Sequence, residues 1–459
     1  MSIIIPANTL ATGGFEVANS ARFNNPSSDY LNKSFGNGNR KTFTISAWVK
    51  RSNIAGVDPI FSRYTADSDA GFLGLYINSN AKLNFTGWNT VYITTNRLFR
   101  DLSAWYHIVL AVDTTQSTNT NRWKLYINGV QETSFATAAY PNQNTDLAIN
   151  QNVAHMVGRY SGNYLAGYMS EVVFIDGLAL APDQFGEFDE DSNIWKPIKV
   201  SGLTFGNNGF YLDFEDSSAL GNDAAGSNNW TANNLTAIDQ STDTCTNNFA
   251  TLNPLNYSSS SKTYAFGNTA ITASASGSWN ATLSNFAVSS GKWYTEYKIT
   301  AVGSFSAIGV GYQPFNTNAS AYLGSTFLVG EDTGSFGWRN NGARPQGGSN
   351  LSSWGTNDIL MIAIDMDNQK LYFGKNGTWE TSGNPESGAT GTGSIGNLTA
   401  GEDYLFVICP RGGGTSVNFG SPSFAISSGN ADGDGYGNFE YAVPSGYFSL
   451  NTKNLAEYG

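Results

Sequence analysis

The chain has 459 residues and a net charge of −12, with 13% charged residues, 14% aromatics and 51 glycines. That length exceeds what one hydrophobic core serves and predicts two or three domains. No Lys/Arg run occurs anywhere, which disfavours nucleic acid and anionic membrane surfaces as partners, and no apolar run approaches the ~20 residues of a membrane-spanning helix.

Asn, Ser and Thr stand where charge would otherwise coat the surface, the profile of an extracellular or virion β-protein built on Asn and Gly turns. The opening Met1-Ser-Ile-Ile-Ile-Pro6 has no basic region and only three apolar residues in a row, so no signal peptide is expected. Outward-facing chemistry without an export signal fits a phage particle protein made in the host cytoplasm and released by lysis. Cys245 and Cys409 are the only cysteines. They are read as buried thiols, with pairing left open.

In chain order, Phe43-Thr-Ile-Ser-Ala-Trp-Val-Lys50 alternates cleanly. Phe43, Ile45, Ala47 and Val49 face one way, and Thr44, Ser46, Trp48 and Lys50 the other. Further strands are expected at 71–77, 105–113, 123–127 and 168–175, with a helical turn at 183–187 after Pro182. Residues 1–195 thus form a first block. Residues 196–284, rich in Asn, Ser, Thr and Gly, are expected to be a connector. Residues 285–459 form a second block, with strands at 293–299, 306–312, 334–338, 358–365, 369–374, 404–409 and 416–419.

One phrase is written twice. Trp105-Tyr-His-Ile-Val-Leu-Ala-Val-Asp113 precedes Trp123-Lys-Leu-Tyr-Ile-Asn-Gly129, and Asp358-Ile-Leu-Met-Ile-Ala-Ile-Asp365 precedes Lys370-Leu-Tyr-Phe-Gly-Lys-Asn-Gly377. Each is a strand apolar on both faces, a turn, and an aromatic-rich strand closed by Asn-Gly, which tolerates positive φ. Strands apolar on both faces lie between layers, so each copy marks the middle of a β-sandwich. Leu110 and Ile364 are expected to be fully buried. The fold class is all-β: two antiparallel jelly-roll sandwiches in tandem, with under about 10% helix.

Two families are resembled. Ser20-Ala-Arg-Phe-Asn24, the alternating strand at 43–50, Trp105-Tyr-His-Ile-Val109, Leu125-Tyr-Ile-Asn-Gly129 and Gly167-Tyr-Met-Ser-Glu-Val-Val-Phe-Ile-Asp176 resemble laminin-G-like, concanavalin-type domains. Gly291-Lys-Trp-Tyr-Thr-Glu-Tyr297, Ile308-Gly-Val-Gly-Tyr312, Gly334-Ser-Phe-Gly-Trp338, Leu371-Tyr-Phe-Gly-Lys-Asn-Gly377 and Val417-Asn-Phe-Gly420 resemble a SPRY domain. The run Asp243-Thr-Cys-Thr-Asn-Asn-Phe-Ala-Thr-Leu-Asn-Pro254 is similar to a junction ahead of such domains in viral proteins, with Cys245 where proline is usual. The pairing implies a tailed-phage virion protein: a tail fibre or spike, or a capsid-surface decoration. Its implied partners are other virion proteins and host cell-surface polysaccharide, and homo-oligomerisation on the particle is expected.

Candidate chemistry is sparse. Glycosidases need two carboxyl groups across the scissile bond. The one matching run, Glu187-Phe-Asp-Glu-Asp191, reads as an exposed loop outside any strand, and Asp213, Glu215 and Asp216 read as turn caps. His107 and His155 lack metal-ligand spacing, and Pro410-Arg-Gly-Gly-Gly414 has no phosphate-loop context. No cofactor is expected. Calcium is left open at Asp67 and Asp69, since laminin-G-like domains often use loop calcium, whereas Asn430-Ala-Asp-Gly-Asp-Gly435 lacks the acidic twelfth position of a calcium loop. Loop aromatics are the better lead, because apolar sugar faces stack on rings while Asn reaches hydroxyls. The candidates are Trp88, Asn89 and Tyr92 in the first block, and Trp338, Arg339, Asn340 and Trp379 in the second. The expected function is therefore binding rather than catalysis, a jelly-roll glycoside hydrolase being the rival.

Overall fold

A computed structural model of the protein describes residues 14–255, 262–274, 281–303, 306–312, 329 and 334–459. It is 40% strand and 7% helix, the all-β class expected. The chain divides into two compact units, with the boundary between Asn247 and Asn248.

The first unit is a sandwich of two antiparallel sheets. One sheet runs in the order Val130–Gln131, Trp123–Ile127, Tyr106–Asp113, Thr42–Arg51, Gly167–Asp176, Ser20–Phe23 and Gln240–Ser241. The other runs Phe135–Ala138, Val91–Thr95, Leu83–Gly87, Phe72–Ile77, Asp58–Tyr64, Ala154–Val157, Tyr30–Ser34 and Thr231–Asn233. Phe43, Ile45, Ala47 and Val49 all enter the core between them, as alternation predicts.

The opposite face of that first sheet is buried too. Thr44, Ser46, Trp48 and Lys50 are covered despite their polarity. Leu180, Phe185, Val200, Leu203 and Phe205 pack on Val109, Val173 and Ile175, while Trp105, Trp195 and Cys245 cover Trp48 and Tyr168. The covered polar groups find partners: Lys50 pairs with Asp243 at 2.7 Å, and the Trp105 indole N–H donates to the same carboxylate at 3.2 Å. A buried charge is tolerated only when paired in this way.

The second unit repeats the plan. One sheet centres on Lys292–Ala301, Ile359–Asp365 and Lys370–Lys375; the other holds Thr282–Val288, Tyr404–Cys409, Ala307–Tyr312 and Ser335–Arg339. Leu360, Ile362 and Ile364 point into its main core, and Met361 and Ala363 into a second cluster with Tyr294, Tyr372, Phe439 and Tyr447. The covering segment is fastened by the buried Glu296 carboxylate, which accepts from the Glu440 and Tyr441 backbone N–H groups at 3.0 and 2.8 Å. A short helix, Thr452–Tyr458, closes the chain, its first turn capped by Asn451.

The segment 196–284 does not stand between the units as a connector. Phe210–Leu212, Thr231–Asn233 and Gln240–Ser241 pair into the first unit, while Ala270–Ala273 and Thr282–Val288 pair into the second. Most of these strands are two to four residues long, too short for period-2 alternation to register against a polar background. The turn expected after Pro182 is a 3-10 turn over Pro182–Gln184.

Candidate functional site

The site is a loop pair at one end of the first unit's second sheet. Between Leu83–Gly87 and Val91–Thr95 the chain turns over in three residues, the Gly87 N–H donating to the Thr90 carbonyl at 2.7 Å. The neighbouring loop, between Asp58–Tyr64 and Phe72–Ile77, supplies Asp69, whose Oδ1 accepts the Asn89 backbone N–H at 2.6 Å. A Cβ on Gly87 would stand 3.3 Å from that oxygen and 3.4 Å from the Phe72 carbonyl, so a side chain there would crowd the junction. The turn is thereby pinned at both ends, and it presents Trp88 with 49% of its surface exposed. A large apolar ring held in water by a fixed backbone is an arrangement suited to stacking on a ligand face.

The sequence places Trp88 and Asn89 in one candidate and Asp67 and Asp69 in another; the structure joins them. Nothing local in the sequence signals the Asp69–Asn89 bond, because register between adjacent hairpins creates it. Tyr92 has a different place. Its ring lies 5.8 Å from Phe85 against the core, and burial, then Asp69, raises its phenol pKa. Only part of it is available to a ligand.

For calcium, the fit is poor. Asp67 accepts from the Tyr64 hydroxyl at 2.5 Å while Asp69 holds Asn89, so the two carboxylates serve different partners. Calcium takes six to eight oxygens. No group of three or more His, Cys, Asp or Glu side chains able to hold a metal is found among the described residues. The acidic stretch 430–435 is a turn: Asp432 Oδ1 accepts from the N–H groups of Asp434 and Tyr436, and Oδ2 from Ser449 and Asn454.

In the second unit the four candidates do not form one site. Trp338 is 0% exposed, stacked 5.8 Å from Phe373, with its indole N–H donating to the Ser352 carbonyl. It lies on the strand Ser335–Arg339, where the sequence predicts a strand over 334–338, and alternation there turns it into the core instead of toward a ligand. Asn340 is structural, its backbone N–H donating to the Ser306 carbonyl and its Oδ1 accepting from Ser306 N–H. Arg339 is half-buried beside it. Trp379 is half-buried, edge-on to Tyr294 and Tyr372.

The glycosidase candidate also takes a different form. The sequence puts residues 187–191 on an exposed loop outside any strand; the structure puts Glu187 on the strand Gly186–Phe188, paired with Trp195–Pro197. Asp189 is buried and accepts from the Ser192 backbone and hydroxyl and from Lys196. Those Ser192 hydrogen bonds, then Lys196, hold its carboxyl at about 2. Glu187 also faces Lys196, at 3.4 Å, so both acids are paired with one lysine. Asp213 and Asp216 accept backbone N–H groups two residues on, as turn caps. His155 is a buried core residue whose Nε2 accepts the Asn150 N–H at 3.0 Å. Cys245 and Cys409 are not in disulfides.

The fold is a jelly roll of lectin-like type. Residues 25–184 match the family model of the Concanavalin A-like lectin/glucanases superfamily. Among solved structures, the chain is similar to the SPRY domain of human HERC1, at 18% identity and a TM-score of 0.25, covering 32% of this chain and 87% of that one. It is similar to a putative carbohydrate binding protein from Bacteroides ovatus, at 18% identity and a TM-score of 0.34, covering 48% and 59% of the two chains. A SAP-like pentraxin from Limulus polyphemus matches at 18% identity and a TM-score of 0.27, covering 37% and 82%. No curated protein matches.

Proposed function

We propose that the chain is a non-enzymatic binding protein on the surface of a phage particle, in a tail spike or fibre or as a capsid decoration. Its first unit binds host-surface glycan or a neighbouring virion protein, and several copies act together on the particle. The observation that carries the binding role is Trp88, half exposed on a turn pinned through Asn89 to Asp69. The match of residues 25–184 to a lectin/glucanase superfamily supports a saccharide as the first ligand to test. The virion assignment rests on the surface chemistry, low in charge and rich in Asn, Ser and Thr, and on the resemblance of the two blocks to laminin-G-like and SPRY domains in one chain.

The test is the behaviour of the purified protein. Under the adhesin reading it binds host cells or their isolated polysaccharide with no partner present. Under the scaffold reading it binds only particles that lack it. Release of shortened sugar from that polysaccharide would move the protein to the glycoside hydrolases, against the geometry of Glu187 and Asp189.

A further inference from the structure

Away from the Trp88 turn, the first unit opens a cleft of about 550 Å³ between its two sheets, where Trp123–Ile127 and Val130–Gln131 on one side face Phe135–Ala138 on the other. We propose that this cleft is a binding site for a neutral oligosaccharide. The proposal takes its ligand class from the glycan reading above but not its location.

Most of the lining is polar, and one part of the wall is aromatic and fixed. Trp123 stacks on Tyr140 at 4.6 Å with an interplanar angle of 18°, and Phe135 meets Trp123 edge-on at 5.2 Å. The Trp123 indole N–H donates to the Ala139 carbonyl at 2.8 Å, which locks the ring without a ligand. Trp123 is nearly buried, but Phe135 and Tyr140 remain half exposed at the mouth. A preorganised aromatic wall avoids the entropy of ordering side chains on binding.

The rim is polar without a net field. Gln131 and Asn121 are exposed amides that both donate and accept, as sugar hydroxyls require. Glu132 is the acid of the site, and its charge is already met: Oε2 accepts from Arg97 at 2.6 Å, and Oε1 from the Thr133 and Ser134 N–H groups at 3.0 Å each. Those bonds hold its carboxyl below the ordinary range despite burial. From Thr133 to Thr145 the chain carries no charged residue. A phosphate or an acidic polysaccharide would meet Lys124 but also the Glu132 carboxylate, whereas a neutral sugar meets rings, amides and hydroxyls. The volume lies within the ~300–1,000 Å³ of ordinary ligand sites.

The test uses the full chain and four neutral hexasaccharides (maltohexaose, cellohexaose, laminarihexaose and mannohexaose), with hexagalacturonate as the acidic comparison. Hydrogen exchange is read over residues 120–140. At least one neutral sugar is expected to protect these amides, and hexagalacturonate to protect them at least tenfold less well. Tyr140→Ala removes part of the wall but risks the packing of Trp123, so Gln131→Trp is the companion: it fills the cleft from an exposed strand and spares the core. Gln131→Trp should weaken the neutral-sugar protection of residues 120–140 at least tenfold. Neutral-sugar binding that leaves residues 120–140 unprotected, or protection there that survives Gln131→Trp, overturns the cleft while the glycan reading stands. No protection by any neutral sugar, and no binding of one anywhere on the chain, overturns both. Protection by hexagalacturonate as strong as by the neutral sugars overturns the ligand class.

Discussion

The indole N–H of Trp195 donates to Nδ1 of His107 at 2.9 Å, across the 88 residues that separate them. An indole can only donate, so Nδ1 is the acceptor and the His107 proton sits on Nε2, which faces the Ser46 hydroxyl at 2.9 Å. The imidazole lies nearly parallel to Trp48 at 4.7 Å and to Trp195 at 5.9 Å. Trp195 in turn occupies space that only glycine leaves open, since a Cβ at Gly129 would stand 2.2 Å from its ring. Trp195→Phe keeps an aromatic ring but deletes the donor and part of the bulk, orphaning a buried acceptor. The expected loss is about 1–3 kcal/mol in urea unfolding at neutral pH. A change below about 0.5 kcal/mol would mean that the bond does not fasten this ribbon.

The same histidine sets an acid limit. Burial pushes both His107 and His155 down to about 3 from the ordinary 6.5. Between those values the unfolded chain binds protons that the folded chain refuses, so stability falls as pH drops from about 6.5 toward 3. Unfolding midpoints in urea should decline through that window. In His107→Gln the decline should be shallower, because one of the two groups no longer titrates. An identical slope would show that His107 is already protonated in the folded protein.

Glu171 acts in the opposite direction. It sits at a bulge in the strand Gly167–Asp176, at φ 50, and burial raises its carboxyl to about 8 although the Tyr211 hydroxyl donates to it at 2.5 Å. The folded state therefore favours the protonated acid. Its contribution is fully present below about pH 4.5 and is lost as pH rises through 8. Glu171→Gln should raise stability at pH 9 and change it little at pH 4. Equal effects at both values would place the ionised form in the fold.

The repeated phrase predicts two deep positions, Leu110 and Ile364, and both are 0% exposed. Each truncation to Ala should cost about 2–5 kcal/mol, read by denaturant unfolding, because a cavity remains between two packed layers. A loss under about 1 kcal/mol at either site would mean that the layer collapses around the change. These positions were legible because long apolar strands carry their burial in their own composition. So were the turns that close each copy: Asn128-Gly129 has φ of 48 and 75, and Asn376-Gly377 has 49 and 82. Trp338 was legible as the end of a strand but not as core, because the Arg-Asn-Asn that follows it has the composition of a loop and only strand register turns the ring inward. Nor was the covering of the first sheet's polar face. Trp195, Phe185 and Asp243 reach it from far along the chain, and no window around Trp48 contains that information.

The exposed Trp88 gives the sharpest separation of binding from packing. Its neighbours do the structural work: Asp69 holds Asn89, Gly87 bonds Thr90, and the core begins at Phe85. Removing a half-exposed ring from the tip therefore leaves the hydrogen bonds that shape the turn. Trp88→Ala should shift the thermal midpoint by no more than a degree or two, as surface changes within about 0.5 kcal/mol do. If the tip grips host glycan, adsorption of the purified protein to host cells should weaken markedly in the same variant. Asp69→Ala supplies the complementary result. It spares the ring but frees the turn, so adsorption should weaken less than in Trp88→Ala while the loops between 65–71 and 87–91 exchange their amides faster. A midpoint lower by many degrees in Trp88→Ala would make the ring a plug of the sandwich. Unchanged adsorption in both variants would remove the tip as the glycan-binding surface, leaving the cleft beside Tyr140 as the place to look for saccharide on this unit.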